Sequence, residues 1–128
     1  MNTKLNHKQL GEKGESLAVQ FLKEQGYRIL KRNYRIKIGE IDIIAKDEDT
    51  LCFVEVKARK KEDAYFPFEV ISQPKQRKIS QVAACYISDH DCSDQYMRFD
   101  VVSILETQEG EAQFELIKDA FDAAFISS

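Results

Sequence analysis

The two stretches GEIDIIA (residues 39–45) and FVEVKAR (residues 53–59) decide the fold of this chain. Both are rich in β-branched residues, and the second alternates apolar and charged side chains, which is typical of β-strands. The polar segment Asp47-Glu48-Asp49-Thr50 lies between them and is typical of a short hairpin turn. The sequence therefore predicts two paired strands, Ile38 to Lys46 and Leu51 to Arg59, whose apolar content places them inside a sheet.

The rest of the chain predicts helices and strands on both sides of this hairpin. Before the hairpin we predict a helix from His7 to Gln25 that stops at Gly26, and a strand from Tyr27 to Arg35. After it we predict a loop over residues 60–72 and a second helix, which begins around Pro74 with Gln73 or Ser72 as its cap and ends at the acidic segment Asp89 to Asp94. The chain then continues with strands from Tyr96 to Glu106 and from Ala112 to Ile117, and a short helical tail from Asp119 to Phe125. The order α-β-β-β-α-β-β predicts an α/β fold with a mixed β-sheet.

Length and composition exclude several classes of protein. A chain of 128 residues, 43% of them hydrophobic, suits one globular domain over residues 1–128. The longest apolar run is the six residues from Val82 to Ile87, which is too short to span a membrane, and the first ten residues hold no secretory signal. Three cysteines without a Cys-x-x-Cys motif argue against disulfides and zinc. We expect a cytoplasmic protein.

The charge of the chain is unevenly distributed. The formal net charge is −3, yet it divides into +5 for residues 1–40, zero for residues 41–78 and −8 for residues 79–128. The stretch from Arg28 to Lys37 holds five cations and no anion. A local basic surface attracts a polyanion whatever the net charge, because surface fields are screened over about 10 Å at 0.1 M salt. An exposed strand edge protected by Lys and Arg explains the same stretch equally well.

Two carboxylates and a lysine are predicted to share one patch of the central hairpin. Residues two apart face the same side of a strand, so Glu55 and Lys57 project together, as do Glu40 and Asp42, while Ile41 and Ile43 face the other way. Pairing across the turn brings Asp42 towards Glu55. Carboxylate oxygens with open water positions are ligands that Mg²⁺ and Mn²⁺ prefer. A solvated salt-bridge face is the alternative, although charges on otherwise apolar strands are costly without a metal or a partner.

Other charged residues extend this site. Glu15 lies beside the apolar stripe of the first helix and is a candidate third carboxylate. The second helix begins with Lys75-Gln76-Arg77-Lys78, and a helix start attracts phosphate. The residues that we predict to contact nucleic acid are Arg28, Lys31, Arg32, Arg35, Lys37, Arg59, Lys75, Gln76 and Lys78. Away from this surface, Arg98 and Asp100 are predicted to form a structural ion pair, and Cys52 is predicted to lie in the core.

The hairpin motifs resemble those of the PD-(D/E)XK nuclease superfamily, which has the restriction-endonuclease-like fold. The helix bearing Glu15 is similar to that of the archaeal Holliday-junction resolvases. The whole chain resembles the YraN family of bacterial proteins more closely, through GEKGESLA (residues 11–18), GEIDIIA, FVEVKAR, KQRK (residues 75–78), RFDVV (residues 98–102) and IKDAF (residues 117–121). The resemblance implies Asp42 and Glu55 as metal ligands, Lys57 as the catalytic lysine and Glu15 as an accessory acid. Gly39-Glu40-Ile41 replaces the proline that commonly precedes the motif aspartate.

Three functions are compatible with these features. The first is a Mg²⁺- or Mn²⁺-dependent endonuclease that hydrolyses DNA, including branched or structured DNA. The second is a nucleic-acid-binding or scaffold protein that keeps the nuclease fold without catalysis, which the intact set of Asp42, Glu55 and Lys57 disfavours. The third is a hydrolase of a small phosphodiester, which would not need an extended basic surface. A homodimer would suit a two-fold-symmetric DNA substrate.

Overall fold

Two helices and six strands make up the computed structural model of the protein, which describes residues 3–4, 7–60, 71–107 and 109–123. The helices are α1 (His7–Glu24) and α2 (Gln73–Asp89). The strands are β1 (Thr3–Lys4), β2 (Arg28–Ile36), β3 (Gly39–Asp47), β4 (Thr50–Lys60), β5 (Tyr96–Glu106) and β6 (Glu111–Phe121). Most of the predicted 60–72 loop lies outside the described residues.

All six strands belong to one mixed sheet. Their order is β1-β6-β5-β4-β3-β2, so β4 and β5 occupy its centre and the basic strand β2 lies at an edge. Strands β4 and β5 run parallel, and the other neighbours run antiparallel. Helix α2 lies between β4 and β5 in the chain, as a parallel pair requires a long crossover connection. The α/β class and the order α-β-β-β-α-β-β are therefore confirmed, with the short β1 as an addition.

Helix α1 ends at a glycine in the left-handed conformation. Gly26 has φ +95°, and its N–H donates to the carbonyl of Lys23 over 3.0 Å. The N–H of Tyr27 donates to the carbonyl of Leu22 over 2.9 Å. This pair of bonds satisfies carbonyls that a helix end leaves free, and a residue with a Cβ atom adopts such a φ only with strain. The predicted stop at Gly26 is confirmed.

Helix α2 begins with a capping serine. The hydroxyl of Ser72 accepts a hydrogen bond from the backbone N–H of Lys75 over 3.3 Å, and Pro74 occupies the first turn, where its missing N–H costs nothing. The side-chain amide of Gln76 donates to the carbonyl of Ile71 over 2.8 Å and is buried. Gln76 therefore joins the helix to the segment before it and does not lie on the surface, which corrects its assignment as a nucleic-acid contact.

The two helices pack against opposite faces of the sheet. One apolar cluster joins Ala18 and Leu22 of α1 to Cys52 and Val54 of β4. The other joins the buried stripe of α2, which includes Ile79, Val82 and Tyr86, to Leu51 and Phe53 of β4. Alternate residues of β4 therefore face different helices, and this strand is buried on both sides. The prediction that Cys52 is a core residue is confirmed.

The alternation of β3 is interrupted at Asp42. Ile43 packs in the α1 cluster and Ile41 packs in the α2 cluster, although simple alternation predicted both on one face. The paired strand β2 has Asn33 at φ +50° between Arg32, which pairs with Ile43, and Tyr34, which pairs with Ile41. A left-handed residue changes the direction of the chain, so the local twist redirects the side chains on both sides of Asp42.

The predicted helical tail is wrong over the residues that the structure describes. Strand β6 continues to Phe121, and residues 124–128 lie outside the description. Asp119 has φ +54°, its backbone N–H donates to Asp100 over 2.9 Å, and Phe121 stacks on Phe99 with ring centroids 4.8 Å apart. Local helix propensity is weak compared with such long-range contacts, which hold this segment on the sheet.

A buried polar cluster lies beside the start of β5. The carboxylate of Asp100 is fully buried and accepts hydrogen bonds from the hydroxyl of Tyr27 over 2.7 Å and from Nε of Arg98 over 2.8 Å. Arg98 also pairs with Asp47 over 2.8 Å, and Lys118 pairs with the same carboxylate over 3.1 Å. The predicted Arg98–Asp100 ion pair is confirmed. Among the described helices, none is long and apolar enough to cross a membrane.

Candidate functional site

Asp42 and Glu55 meet where strands β3 and β4 pair. Ile43 lies opposite Val54, so the next step along each strand brings Asp42 opposite Glu55. Oδ2 of Asp42 accepts a hydrogen bond from the backbone N–H of Val56 over 2.8 Å. The Asp42 carboxylate is thereby held against β4, next to the residue that follows Glu55. The two carboxylates expected to converge therefore lie side by side.

Glu55 is an unusual residue for a strand interior because it is only 7% exposed. Burial raises its pKa, and the negative charge of Asp42 together with a hydrogen bond between the two carboxyls raises it further. The ion pair with Lys75 acts in the opposite direction, and the resulting pKa is about 7. A carboxyl with this pKa is poised between its neutral and charged forms near neutral pH. Such groups are concentrated at functional sites.

Lys75 reaches this carboxylate pair from the first turn of α2. Its Nζ lies 2.9 Å from Oε1 of Glu55. Desolvation acts to lower the pKa of Lys75, but the ion pair with Glu55 and the charges of Asp42 and Glu40 outweigh it and raise the pKa. Lys75 is therefore a firmly protonated cation inside a group of three acidic residues. The sequence predicted that Lys75 contacts phosphate, and in the structure its ammonium contacts the carboxylate of Glu55.

Lys57 and Arg59 follow Glu55 along β4. Positions 55, 57 and 59 share one side of an extended strand, and the strand is regular here because Lys57 pairs with Ser103 and Arg59 with Leu105 in β5. Lys57 therefore projects from the same face as Glu55, as predicted. Its assignment as the catalytic lysine stays a prediction.

Glu15 lies apart from the carboxylate pair. Its Oε1 is 3.2 Å from Nε of Arg32 on β2, and the same guanidinium donates to the hydroxyl of Ser16 over 2.8 Å. Glu15 belongs to α1, whereas Lys75 approaches Glu55 from α2 on the opposite face of the sheet. Within the described part of the chain, no three His, Cys, Asp or Glu side chains converge to hold a metal ion. The structure does not bring Glu15 together with Asp42 and Glu55, and its role as a third ligand stays a prediction.

The chemistry of the remaining pair suits a divalent cation. Two carboxylates at the meeting point of two strands offer oxygen ligands and leave other coordination positions for water, which is the environment that Mg²⁺ and Mn²⁺ take up. Burial of Glu55, and then the negative charge of Asp42, raise its pKa more than the ion pair with Lys75 lowers it. Asp42 and Glu55 therefore fit the metal implied by the sequence resemblance, with two protein carboxylates in place of three.

The basic residues of β2 form an exposed edge next to this site. Arg28, Lys31, Arg32 and Arg35 of β2, and Lys37 directly after it, are all exposed, and a bulge between Ile29 and Lys31 interrupts the pairing of β2 with β3. Arg35 pairs with Glu40 over 3.0 Å, so it neutralises an acid close to Lys75. Lys78 is exposed one turn after Lys75 on α2. Binding of nucleic acid by this surface stays a prediction.

Sequence reasoning missed the contact between Lys75 and Glu55. The two residues are 20 positions apart, and residues 61–70 between them lie outside the part of the chain that the structure describes. The sequence did signal that the basic helix start needed an anionic partner, since cations are unfavourable at a helix N-terminus. The partner is a carboxylate of the protein itself. A tertiary contact of this kind leaves no periodic pattern in the sequence.

The fold and the site together define an α/β protein with a carboxylate pair on its central hairpin, Lys75 paired with Glu55, and Lys57 on the same face of β4. A family model for the uncharacterised protein family UPF0102 matches residues 14–104, and the chain belongs to this family. A UPF0102 protein of Geotalea daltonii is 47% identical over 122 residues, covering 95% of this chain and 96% of its own length. Those of Desulfosudis oleivorans and Caldicellulosiruptor bescii are 48% and 47% identical and cover 94% and 91% of this chain, and 95% and 100% of their own.

Proposed function

We propose that the protein is a divalent-metal-dependent nuclease of the YraN type within the PD-(D/E)XK superfamily, and that it hydrolyses phosphodiester bonds of DNA. The single observation that carries this proposal is the carboxylate pair on the central hairpin. Asp42 is held by the Val56 N–H, and Glu55 is buried with its pKa raised to about 7. Burying a charged residue costs free energy, and a catalytic use of the pair accounts for that cost.

Each residue of the site has a role in this proposal. Asp42 and Glu55 would hold Mg²⁺ or Mn²⁺, which supplies Lewis acidity and lowers the pKa of bound water. Lys57, on the same face as Glu55, would stabilise the negative charge that develops on the phosphate during attack by water. Asp42 keeps its orientation through the backbone of β4, so the acidic group would not need to reorganise during the reaction.

The basic surface supports a polyanionic substrate. The exposed edge strand β2 and the start of α2 carry cations on both sides of the carboxylate pair. An extended cationic surface is what a nucleic-acid backbone requires and what a small phosphodiester does not. We therefore propose DNA, including branched DNA, as the substrate, and a homodimer as the form that would bind a two-fold-symmetric junction.

A second candidate is a nucleic-acid-binding protein without catalysis. The ion pair between Lys75 and Glu55 favours it, because the protein compensates part of the acidic charge with its own lysine. In that case the site would be an internal salt bridge that stabilises the junction between α2 and β4. The two candidates differ in whether a divalent cation binds at Asp42 and Glu55.

A cleavage assay tests the proposal. Purified protein is incubated with Mn²⁺ or Mg²⁺ and a panel of labelled single-stranded, duplex, flapped and four-way-junction DNAs. We expect cleavage of at least one substrate, and its loss in Asp42→Asn. Asp49→Asn, an exposed change in the turn of the same hairpin, is the matched control and should keep the activity. Absence of cleavage on every substrate with either metal would contradict the nuclease proposal.

Metal-dependent stability separates the two candidates. A ligand that binds the native state alone raises the melting temperature, because it adds RT ln(1 + [L]/Kd) to the free energy of unfolding. We expect Mn²⁺ to raise the melting temperature of the wild type and of Asp49→Asn, and to leave that of Asp42→Asn unchanged. Coincident wild-type melting curves with and without Mn²⁺ would favour the protein without a metal site.

A further inference from the structure

Lys75 occupies the position at which a cation binding to the carboxylate pair would be expected. Its ammonium is 2.9 Å from Glu55, and the charge of Asp42 acts on it as well. The side chain of Glu55 is 8% exposed, whereas that of Lys75 is 48% exposed. The carboxylate is therefore fixed in the sheet, while the lysine reaches it from a partly exposed position.

We propose that Lys75 is the internal counter-ion of the Asp42–Glu55 pair and couples the binding of metal to the binding of the nucleic-acid backbone. A divalent cation displaces the ammonium from Glu55, and the released ammonium binds a phosphate oxygen of the substrate. This inference rests on the proposed function and deepens it, because it assigns to α2 a part in the order and strength of ligand binding.

The structure lets Lys75 move without disturbing the fold. The backbone N–H of Lys75 is held by the hydroxyl of Ser72, so the first turn of α2 stays in place when the long side chain rotates. The side chain of Lys75 is 48% exposed, so its ammonium can turn towards solvent. Departure of the ammonium breaks its ion pair with Glu55.

The position of α2 gives the released ammonium a second partner. Pro74 has no N–H and that of Lys75 is bonded to Ser72, so the start of α2 attracts phosphate through its partial positive charge and its side-chain cations. Lys78 lies one turn further along and is exposed. A phosphate at this end of α2 would therefore compete with Glu55 for the ammonium of Lys75.

Linkage then makes the effect reciprocal. If the phosphate backbone removes Lys75 from Glu55, it strengthens metal binding by some factor, and metal strengthens binding of the backbone by the same factor. Without DNA, the ammonium of Lys75 competes with the metal ion for the carboxylate of Glu55. The pair Asp42–Glu55 would then bind metal most strongly when DNA is present.

The first measurement compares the affinity for Mn²⁺ alone, by calorimetric titration at about pH 8.5 without DNA. Lys75→Met removes the competing cation, and we expect it to tighten Mn²⁺ binding by about tenfold or more, since two cations at one buried site repel strongly. Lys78→Met removes the same charge one turn away and should change the affinity less than about twofold. Lys75→Arg keeps a cation and should bind Mn²⁺ like the wild type.

The second measurement adds an unlabelled DNA duplex, with Lys57→Ala present in every protein so that cleavage does not intervene. We expect DNA to strengthen Mn²⁺ binding by a larger factor in the protein that keeps Lys75 than in the protein with Lys75→Met. The difference isolates the part of the coupling that runs through Lys75, because direct attraction between Mn²⁺ and DNA is common to both proteins.

The outcomes are distinguishable. Wild-type protein that binds Mn²⁺, with Lys75→Met binding equally or more weakly, overturns this inference and leaves the proposed function standing. Equal coupling factors in the two proteins also overturn it. If neither wild type nor Lys75→Met binds Mn²⁺, the metal site of the proposed function fails and the inference falls with it. Circular dichroism of each variant checks that the fold is kept.

Discussion

At the scale of one residue, the burial of Glu55 lowers the stability of the metal-free fold and raises the pKa of its carboxyl to about 7. It stands in strand β4, whose apolar residues pack on both helices, and its acidic neighbour is Asp42. Burial and like charge both favour the protonated form, so the native state holds a proton that the unfolded chain releases near pH 4.5. The metal-free protein should therefore lose stability when this carboxyl ionises.

The stability of Glu55→Gln should reveal this cost. The pKa of Glu55 is raised from 4.5 to about 7, so the wild type has its full stability from this group below about pH 4.5 and loses it as the pH rises through about 7. In EDTA, we expect the free energy of unfolding of Glu55→Gln to gain on that of the wild type between about pH 4.5 and 8. Urea unfolding across this range measures it, and a difference that stays constant with pH contradicts the assignment.

Lys57 should affect chemistry and leave binding largely unchanged. We expect Lys57→Ala to lower the cleavage rate by about a hundredfold or more, because a group that stabilises developing charge acts mainly in the transition state. Its affinity for an uncleaved duplex, measured in Ca²⁺ by fluorescence anisotropy, should change less than about threefold. Lys23→Ala, on the exposed end of α1, is the control. Cleavage by Lys57→Ala at the wild-type rate would show that another group supplies this function.

At the scale of one element, the cations of strand β2 serve either to protect a sheet edge or to bind nucleic acid. It is an edge strand with a bulge and a left-handed Asn33, and both features protect a sheet edge from pairing with another chain. Two of its cations, Arg32 and Arg35, pair with Glu15 and Glu40. Lys31 is exposed between these irregularities and is therefore the residue that best separates edge protection from nucleic-acid binding.

Reversal of the charge at Lys31 tests this element. If Lys31 contacts a phosphate, Lys31→Glu should weaken binding to all duplex sequences and reduce the slope of log K against log salt by about 0.9. Lys23→Glu makes the same charge change away from β2 and should leave the slope unchanged. Fluorescence anisotropy at several salt concentrations gives both slopes. Equal slopes for the two variants would assign β2 to edge protection alone.

The Asp100 cluster joins distant segments at the scale of the whole molecule. Asp100 on β5 accepts hydrogen bonds from Tyr27 after α1 and from the backbone of Asp119 on β6. Arg98 extends the cluster to Asp47 at the end of β3. Three strands and the connection between α1 and β2 are thus tied together around one fully buried carboxylate. Because Asp100 is fully buried, loss of one of its hydrogen-bond partners is expensive.

Removal of the Asp100 charge should destabilise the whole fold. We expect Asp100→Asn to lower the free energy of unfolding by about 3 kcal/mol, because the amide removes the charge that compensates Arg98 and leaves one acceptor oxygen in place of two at this buried site. Asp94→Asn, an exposed change before β5, should lie within about 0.5 kcal/mol of the wild type. Guanidinium unfolding measures both. A loss below about 1 kcal/mol for Asp100→Asn would contradict a stabilising role for the cluster.

The sequence by itself determined most of the elements and the identity of the central pair. Gly26 ended α1, Ser72 and Pro74 began α2, and the alternation in β4 placed Glu55 and Lys57 on one face. These features are local, because capping, backbone conformation and a two-residue period act between neighbours in the chain. Local rules of this kind are readable from the sequence before any tertiary contact is known.

Only the tertiary structure decided which charges meet. It paired Lys75 with Glu55 and Glu15 with Arg32, buried Gln76, redirected β3 at Asp42, and kept residues up to Phe121 in a strand where local propensity favoured a helix. Each of these outcomes depends on elements far apart in the chain that pack on one sheet. The energies of such contacts exceed local propensities, and their partners leave no periodic trace in the sequence.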